Sequence, residues 1–149
     1  MCNNARADVS KDFSIMEKEI EIIVPFYDLD PMMVVWHGNY VKYMERGRCA
    51  LLADCAMTYN DMERYGFLFP VVTMRVKYVK PSVFGKKIIV RVVHVPNENF
   101  LVFKYEILDA TTREKLCVAE TKQMAVDMKT RESYFQLPEP FLTVFGGIK

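Results

Sequence analysis

The sequence predicts a single α+β domain in which an antiparallel β-sheet wraps around one long central helix. One segment, residues 39 to about 57, carries apolar residues at helical spacing. Several later segments carry strand-forming residues and are separated by turn-forming sequences, which is typical of antiparallel hairpins. The length of 149 residues and the hydrophobic fraction of 51% suit one domain with a substantial core.

We expect residues 1–149 to form this one domain, with residues 1–18 and 138–149 peripheral or loosely ordered. The net charge of +1 gives no overall attraction to nucleic acid. No segment has the length and hydropathy of a membrane span, and the N-terminus lacks the apolar run of a secretory signal. These features predict a cytoplasmic protein with no nucleic-acid partner and no stable membrane insertion.

The first elements are a strand and a long helix. β-branched and aromatic residues predict a strand from Glu19 to Asp28. The helix is predicted from Asn39, as its N-cap, to about residue 57. Gly47 removes bulk from the apolar face of this helix, as suits a helix pressed closely against a sheet. The polar surface of the helix is assigned to Lys42, Glu45, Arg46 and Arg48.

Four strands are predicted in the second half of the chain, at residues 69–80, 86–95, 100–110 and 115–128. Pro81 ends the first of them. The sequences PNEN and ATTRE separate the last three and have the composition of turns. We therefore expect hairpin-linked neighbours in an antiparallel sheet.

Polar residues concentrate where the first strand gives way to the helix, in the sequence YDLDPMMVVWHGNYVKYMERGR at residues 27–48. Asp30 and His37 stand at this change. An Asp-Pro pair commonly opens a turn, so Asp30 taken alone is a candidate turn former. Asp28 is a candidate supporting or structural carboxylate.

The same region carries a family resemblance. The run D-x-D-P-x-x-V-V-[WY]-H-x-N-Y-x-x-[YF]-x-E-x-[AG]-R, from Asp28 to Arg48, resembles the signature of the hotdog-fold thioesterases. It is most similar to the 4-hydroxybenzoyl-CoA thioesterase and YbgC-type acyl-CoA thioesterase group. The segment RVKYVKPSVFGKKIIV, with Tyr78 and Pro81, is also similar to a strand of that family. The resemblance covers roughly residues 19–128 and implies the hotdog fold.

The resemblance implies an enzyme that hydrolyses an acyl-CoA or acyl-carrier-protein thioester to free acid and thiol. Asp30 matches the family's catalytic carboxylate and is expected to act as general base or nucleophile, with assistance from His37. Free backbone N–H groups near Asn39 and Tyr40, at the positive end of the helix dipole, can polarise the thioester carbonyl. The resemblance further implies a homodimer or homotetramer and no cofactor, with coenzyme A present only as part of the substrate.

Further residues are expected to contact the substrate. They are Met33, Val35, Trp36, Asn39, Tyr40, Lys80 and Lys86. The two lysines belong to a group of seven Lys and Arg between residues 64 and 91 with no Asp or Glu among them, which suits phosphate groups or an acidic carrier protein. Lysines also protect exposed strand edges, so that alternative stays open. No metal site is predicted, because the four cysteines form no CxxC pair.

Met33 departs from the family pattern, because many relatives have glycine at this position in the turn. A side chain there can narrow the pocket, so the size of the acyl group stays open. Two other functions also remain open. One is a non-catalytic hotdog module that binds an acyl thioester or a protein partner, and the weaker one is a dehydratase.

Overall fold

The computed structural model describes residues 16–147, which form eight strands and three α-helices in this part of the chain. In chain order these are β1 (Glu17–Ile23), α1 (Asn39–Asp54), α2 (Tyr59–Arg64), β2 (Phe67–Leu68), β3 (Val71–Tyr78), β4 (Lys87–Val95), β5 (Leu101–Asp109), β6 (Lys115–Gln123), β7 (Ala125–Asp127), β8 (Ser133–Tyr134) and α3 (Phe141–Phe145).

Five strands form the main sheet, in the order β1-β4-β5-β6-β3, and every neighbouring pair is antiparallel. The predicted hairpins β4–β5 and β5–β6 are present. The prediction that β3 and β4 are also hairpin neighbours is wrong. β1 pairs with β4 along its free edge, with Ile20 opposite Val90, so β3 lies at the far edge beside β6. β2, β7 and β8 form a second, small sheet.

Helix α1 lies against β1 and β4 of the main sheet. A methyl group added at Gly47 would come within 2.6 Å of Cγ2 of Val92 and 3.0 Å of Cγ1 of Val90. The interpretation of Gly47 as a site of close packing is therefore confirmed. Around it, the core contains fully buried side chains from both layers, among them Met44 of α1 and Phe103 of β5.

Arg48 was assigned to the polar surface of the helix, and that assignment is wrong. Its side chain is buried, and its guanidinium donates to the hydroxyls of Tyr59 at 2.5 Å and Tyr105 at 2.9 Å. The helical spacing is consistent with a buried position, because residue 48 lies one turn after Met44 on the apolar face of the helix. The two phenol oxygens allow the charged group to be buried because they satisfy its donors.

Several predicted boundaries also shift. The first strand ends at Ile23 rather than Asp28, and Phe26–Asp28 form a 3-10 helix after Pro25, which cannot donate a strand hydrogen bond. Helix α1 ends at Asp54, before residue 57. The predicted strand 69–80 begins at Val71, and the predicted strand 115–128 divides into β6 and β7.

The C-terminal segment packs on the domain. Phe141 and Phe145 of α3 are 0% and 1% exposed, and Leu137 just before it is 2% exposed. The prediction that residues 138–149 are peripheral or loosely ordered is therefore wrong for α3, because its aromatic side chains complete the core. Of the expected peripheral residues 1–18, residues 1–15 lie outside the described residues. Within residues 16–147, no helix combines the length and the apolar character that crossing a membrane requires.

Candidate active site

Residues 24–38, between β1 and α1, form a segment that we call the junction loop. Its two arms are hydrogen-bonded to each other. The N–H of Asp30 donates to the carbonyl of Val34 at 2.8 Å, and the N–H of Trp36 donates to the carbonyl of Asp28 at 3.0 Å. The loop therefore places the predicted catalytic carboxylate and the start of α1 in one hydrogen-bonded unit.

The segment after β3 supports the junction loop. The N–H of Val35 donates to the carbonyl of Ser82 at 2.9 Å, and the hydroxyl of Tyr40 donates to Oγ of Ser82 at 3.3 Å. Val34 forms an isolated antiparallel bridge with Val83. Val35 and Tyr40 are only 4% and 3% exposed, so their side chains belong to the core and do not present the substrate contacts that the sequence suggests.

Asp28 is the structural centre of the junction loop. Its buried carboxylate accepts hydrogen bonds from the hydroxyl of Tyr43 at 2.6 Å and from Nζ of Lys42 at 2.7 Å. Its carbonyl also accepts from Nδ2 of Asn39 at 2.8 Å. Burial alone would raise the pKa of Asp28, but the hydrogen bonds from Lys42 and Tyr43 outweigh it and lower the pKa. The pKa of Tyr43 is raised by its burial and by its bond to this carboxylate.

Asp30 lies at the turn of the junction loop and is partly exposed. Its Oδ1 accepts from the N–H of Met32 at 2.8 Å, and its carbonyl accepts from the N–H of Met33 at 2.8 Å. Asp30 thus serves as a turn former in this structure. Among the described residues, its Oδ2 accepts no hydrogen bond and no bond joins it to His37.

Met33 has a φ of 62°, which is the left-handed region that glycine enters without strain. For a residue with a side chain this conformation costs about 1 kcal/mol. Its side chain is 55% exposed, and that of the neighbouring Met32 is 77% exposed. Two flexible apolar side chains therefore project from the turn that carries Asp30.

The N-terminus of α1 differs from the prediction in one respect. Gly38, not Asn39, occupies the N-cap position, because the side chain of Asn39 is used to bond Asp28. The N–H of Asn39 donates to the carbonyl of Trp36 at 2.9 Å, and the N–H of Tyr40 donates to that of His37 at 3.4 Å.

The N–H groups of Asn39 and Tyr40 themselves are therefore paired, and the free groups expected near them belong to the two preceding residues. Within residues 16–147, the N–H groups of His37 and Gly38 have no acceptor. These two adjacent donors lie at the positive end of the dipole of a 16-residue helix. The chain can offer both of them to an oxyanion.

Aromatic rings surround these two donors. The side chains of Trp36 and His37 are both exposed, and their ring centroids lie 5.0 Å apart. The indole of Trp36 covers Gly38 so closely that an added Cβ there would lie 2.3 Å from a ring carbon. Tyr78 of β3 approaches from the other side, and its hydroxyl donates to the carbonyl of His37 at 2.9 Å.

The two lysines expected to bind substrate are paired with acidic side chains. Lys80 forms an ion pair with Glu114, and Lys86 forms one with Asp109 at 3.1 Å. The positive cluster seen in the sequence is thus largely offset in the structure, because neighbouring strands bring acidic residues beside it. Other ion pairs of this kind involve Arg75 with Glu120, Lys87 with Glu21, and Arg91 with Glu17 and Glu106.

A cavity of about 790 Å³ lies along the outer side of α1. Gly38 is its only lining residue from the junction loop. The others are Ile20, Val41, Lys42, Glu45, Arg46, Cys49 and Ala50. Among the described residues, no group of three or more His, Cys, Asp or Glu side chains is placed to hold a metal ion.

Sequence reasoning gave no site role to two residues that shape this region, Tyr43 and Tyr78. Tyr43 follows Tyr40 by three positions, so it shares the buried helix face that reaches Asp28. Tyr78 alternates with Met74 and Val76, which predicted the strand but not the contact with His37, because that contact joins residues 41 positions apart.

Comparison with known proteins agrees with this architecture. The family model described as the thioesterase-like superfamily matches residues 24–145. A protein of Bacillus subtilis named putative acyl-CoA thioesterase YneP is 41% identical over 90 residues, which is 60% of this chain and 62% of that protein. The chain thus matches less than two thirds of the length of this relative.

Two solved thioesterase structures share the fold. A DHNA-CoA thioesterase from Staphylococcus aureus has a TM-score of 0.77 at 25% identity, covering 88% of this chain and 87% of that one. A 1,4-dihydroxy-2-naphthoyl-CoA thioesterase from Synechocystis also has a TM-score of 0.77, at 20% identity, with coverages of 87% and 95%. These similarities confirm the predicted hotdog fold. The chain belongs to the thioesterase-like superfamily.

Proposed function

We propose that this protein hydrolyses an acyl-CoA thioester to the free acid and thiol. The observation that carries the proposal is that the N–H groups of His37 and Gly38 have no acceptor within residues 16–147. They lie at the start of α1 in the same loop as Asp30. A thioester carbonyl hydrogen-bonded to these donors would develop its negative charge beside them, which would stabilise the transition state. The names of the similar proteins, each a thioesterase, agree with this chemistry.

In the proposed mechanism, Asp30 acts through Oδ2 in one of two ways. As a base it takes a proton from the water that attacks the carbonyl carbon, the C–S bond breaks, and the proton passes to the leaving CoA thiolate. As a nucleophile it attacks the carbonyl carbon itself and displaces the CoA thiolate, which takes a proton, and water then hydrolyses the resulting anhydride. Oδ1 keeps its hydrogen bond to Met32 and holds the turn. His37 is open to solvent beside the donors and is placed to contact the substrate. No cofactor takes part, and coenzyme A enters only as part of the substrate.

The acyl group would meet the exposed side chains of Met32, Met33 and Trp36, which surround the turn and the start of the helix. Asn39 acts on the site indirectly, because its amide bonds the carbonyl of Asp28. Lys80 and Lys86 contribute to phosphate or carrier-protein binding only if their present ion pairs open. The substrate can be an acyl-carrier-protein thioester instead of an acyl-CoA, since both present the same thioester bond.

The active unit is proposed to be at least a homodimer formed through β3. This strand is an edge of the main sheet, and seven of its eight residues are exposed. Its large exposed apolar side chains are Val71, Val72, Met74 and Tyr78. The opposite edge, β1, carries Glu17, Lys18, Glu19 and Glu21, the charged pattern that protects an edge from pairing. Pairing of β3 with its copy would satisfy its open backbone groups.

The test is release of free thiol from short, long and aromatic acyl-CoA esters by the wild type and by Asp30→Asn. Asparagine keeps an oxygen that can accept from Met32, so the turn persists while the base is lost. We expect at least about a hundredfold loss of kcat/KM, equivalent to about 3 kcal/mol. Asp127→Asn is the matched control, because Asp127 holds a comparable turn through the N–H groups of Lys129 and Thr130.

A second candidate function is a hotdog module that binds an acyl thioester without hydrolysing it. The observation in its favour is that the carboxylate of Asp30 is engaged by its own turn. Failure of folded wild-type protein to hydrolyse any ester of the panel, with CoA esters still bound in a direct binding assay, would support this candidate and reject the first.

A further inference from the structure

The two unpaired N–H groups belong to successive peptide units, and the carbonyl of each unit is anchored. In a trans peptide the N–H and C=O point in opposite directions, so a fixed carbonyl fixes the direction of the N–H. The carbonyl of Trp36 shares a peptide unit with the N–H of His37, and it accepts a hydrogen bond from the N–H of Asn39 at 2.9 Å. The carbonyl of His37 shares a peptide unit with the N–H of Gly38, and it accepts a hydrogen bond from the hydroxyl of Tyr78 at 2.9 Å.

The first anchor belongs to the start of the helix, whereas the second comes from β3. The only other donor to the His37 carbonyl among the described residues is the N–H of Tyr40, at 3.4 Å, which is long for a hydrogen bond. The orientation of the peptide between His37 and Gly38 therefore depends mainly on Tyr78.

The hydroxyl of Tyr78 is itself held in place. Its ring packs edge-on against the ring of Tyr40, with centroids 5.5 Å apart, and near the ring of His37 at 6.1 Å. Partial burial raises the pKa of Tyr78 above its usual value. The hydroxyl therefore keeps its proton and remains a donor at neutral pH.

We propose that Tyr78 is a positioning residue for thioester hydrolysis, whose hydroxyl orients the peptide between His37 and Gly38 so that the Gly38 N–H can stabilise the oxyanion. This inference rests on the proposed function. A hydrogen bond to the carbonyl also polarises the peptide and strengthens its N–H as a donor. Without the hydroxyl, the peptide must reorient during the reaction, and that cost raises the barrier of the chemical step.

The first experiment compares the kinetics of Tyr78→Phe and wild type on the best CoA ester of the panel. Phenylalanine retains the ring contacts and removes only the hydroxyl. Removal of an oxyanion donor costs about a hundredfold or more, and loosening one should cost less, so we expect kcat to fall about tenfold with KM unchanged. Tyr65→Phe is the control, because the ring of Tyr65 also packs edge-on, against Phe141, and is about as exposed as that of Tyr78.

The second experiment measures the effect on the bound carbonyl directly. In an Asp30→Asn background hydrolysis is expected to be slow enough for the bound ester to be observed, and the infrared stretch of a ¹³C-labelled thioester carbonyl reports the strength of its hydrogen bonds. We expect the shift to lower frequency on binding to be smaller when Tyr78→Phe is added. Addition of Tyr65→Phe should leave the shift unchanged.

The outcomes separate the proposed thioester hydrolysis from the role of Tyr78 in it. A wild type that hydrolyses no ester overturns the proposed function and this inference with it. An active wild type with an equally active Tyr78→Phe overturns the inference alone. A change confined to KM, or a loss of kcat with an unchanged carbonyl stretch, would assign Tyr78 to substrate contact or to general structure and would likewise overturn it. The melting temperatures of all variants show that each is folded.

Discussion

The substitution Asp28→Asn tests how far the junction loop depends on one buried charge. The change keeps the size of the side chain and removes its negative charge. Two bonds are affected, the one from the hydroxyl of Tyr43 at 2.6 Å and the one from Nζ of Lys42 at 2.7 Å. The amide of asparagine can accept from Lys42 through its oxygen and donate to the hydroxyl oxygen of Tyr43 through its nitrogen, so both contacts lose the contribution of the negative charge.

The expected loss of stability follows from the surroundings of each bond. A hydrogen bond to a charged group contributes about 1.5–3 kcal/mol, and a neutral one about 0.5–1.5 kcal/mol. The bond from Tyr43 is buried and counts in full, whereas Lys42 is 50% exposed and its share is reduced by solvent screening. We therefore expect Asp28→Asn to lower the free energy of unfolding by roughly 2 kcal/mol at pH 7.

The effect should depend on pH with a definite sign. The pKa of Asp28 is lower in the folded protein than its ordinary value, so the folded state holds the proton less tightly than the unfolded state. The contribution of the carboxylate is complete above the unfolded pKa of about 4 and is lost as the pH falls through the folded pKa. The difference between wild type and Asp28→Asn should therefore be constant from pH 7 to about pH 5 and shrink below about pH 4.

Urea unfolding at a fixed protein concentration measures both the loss of unfolding free energy at pH 7 and its dependence on pH, with Asp54→Asn as the control. Asp54 forms an ion pair with Lys18 at 2.9 Å, but the two side chains are 51% and 36% exposed. Its loss should cost less than about 0.5 kcal/mol. If Asp28→Asn costs no more than this control, or if its cost grows as the pH falls, the buried carboxylate does not stabilise the junction loop.

Two further predictions concern packing and assembly. Gly47→Ala should lower the free energy of unfolding by about 1 kcal/mol or more, because the clash at 2.6 Å with Val92 outweighs the gain in helix propensity. Adding Val92→Ala to the same chain should reduce this loss. Chemical denaturation of the single and double variants measures both effects. Met74→Lys on β3 should shift the protein toward monomer in sedimentation velocity, whereas Glu21→Lys on β1 should not; equal behaviour of the two variants would exclude β3 as the interface.

Much of the fold could be predicted because its signals are local. The ends of β4, β5 and β6 lie within one residue of those predicted, except for the C-terminal end of β6. This agreement is expected because residue alternation and turn composition depend only on residues close together in the chain. The position of β3 at the far edge could not be predicted in this way. It depends on which strand occupies the open side of β4, and β1 is contributed from the other end of the chain.

The candidate site shows a similar division. The sequence indicated that Asp30, His37 and the start of α1 lie together, since they are close along the chain. It did not indicate which N–H groups remain free, because that depends on the turn before the helix, in which the carbonyls of Trp36 and His37 accept from the N–H groups of Asn39 and Tyr40. The charge of Arg48 did not indicate its burial, because that burial depends on the hydroxyls of Tyr59 and Tyr105, which lie outside the helix.

The turn at Asp30 limits how the proposed reaction can proceed. Met33 is held in a left-handed conformation that costs about 1 kcal/mol, and the hydrogen bonds that Asp30 accepts from Met32 and Met33 hold that turn closed. If Oδ1 left Met32 to react, the turn would lose one of these two hydrogen bonds, and the carboxylate would lose the bond that fixes its direction relative to the donors of His37 and Gly38. Oδ2 can react without this change. The strained turn therefore favours a mechanism in which one oxygen of Asp30 maintains the loop while the other carries out the chemistry.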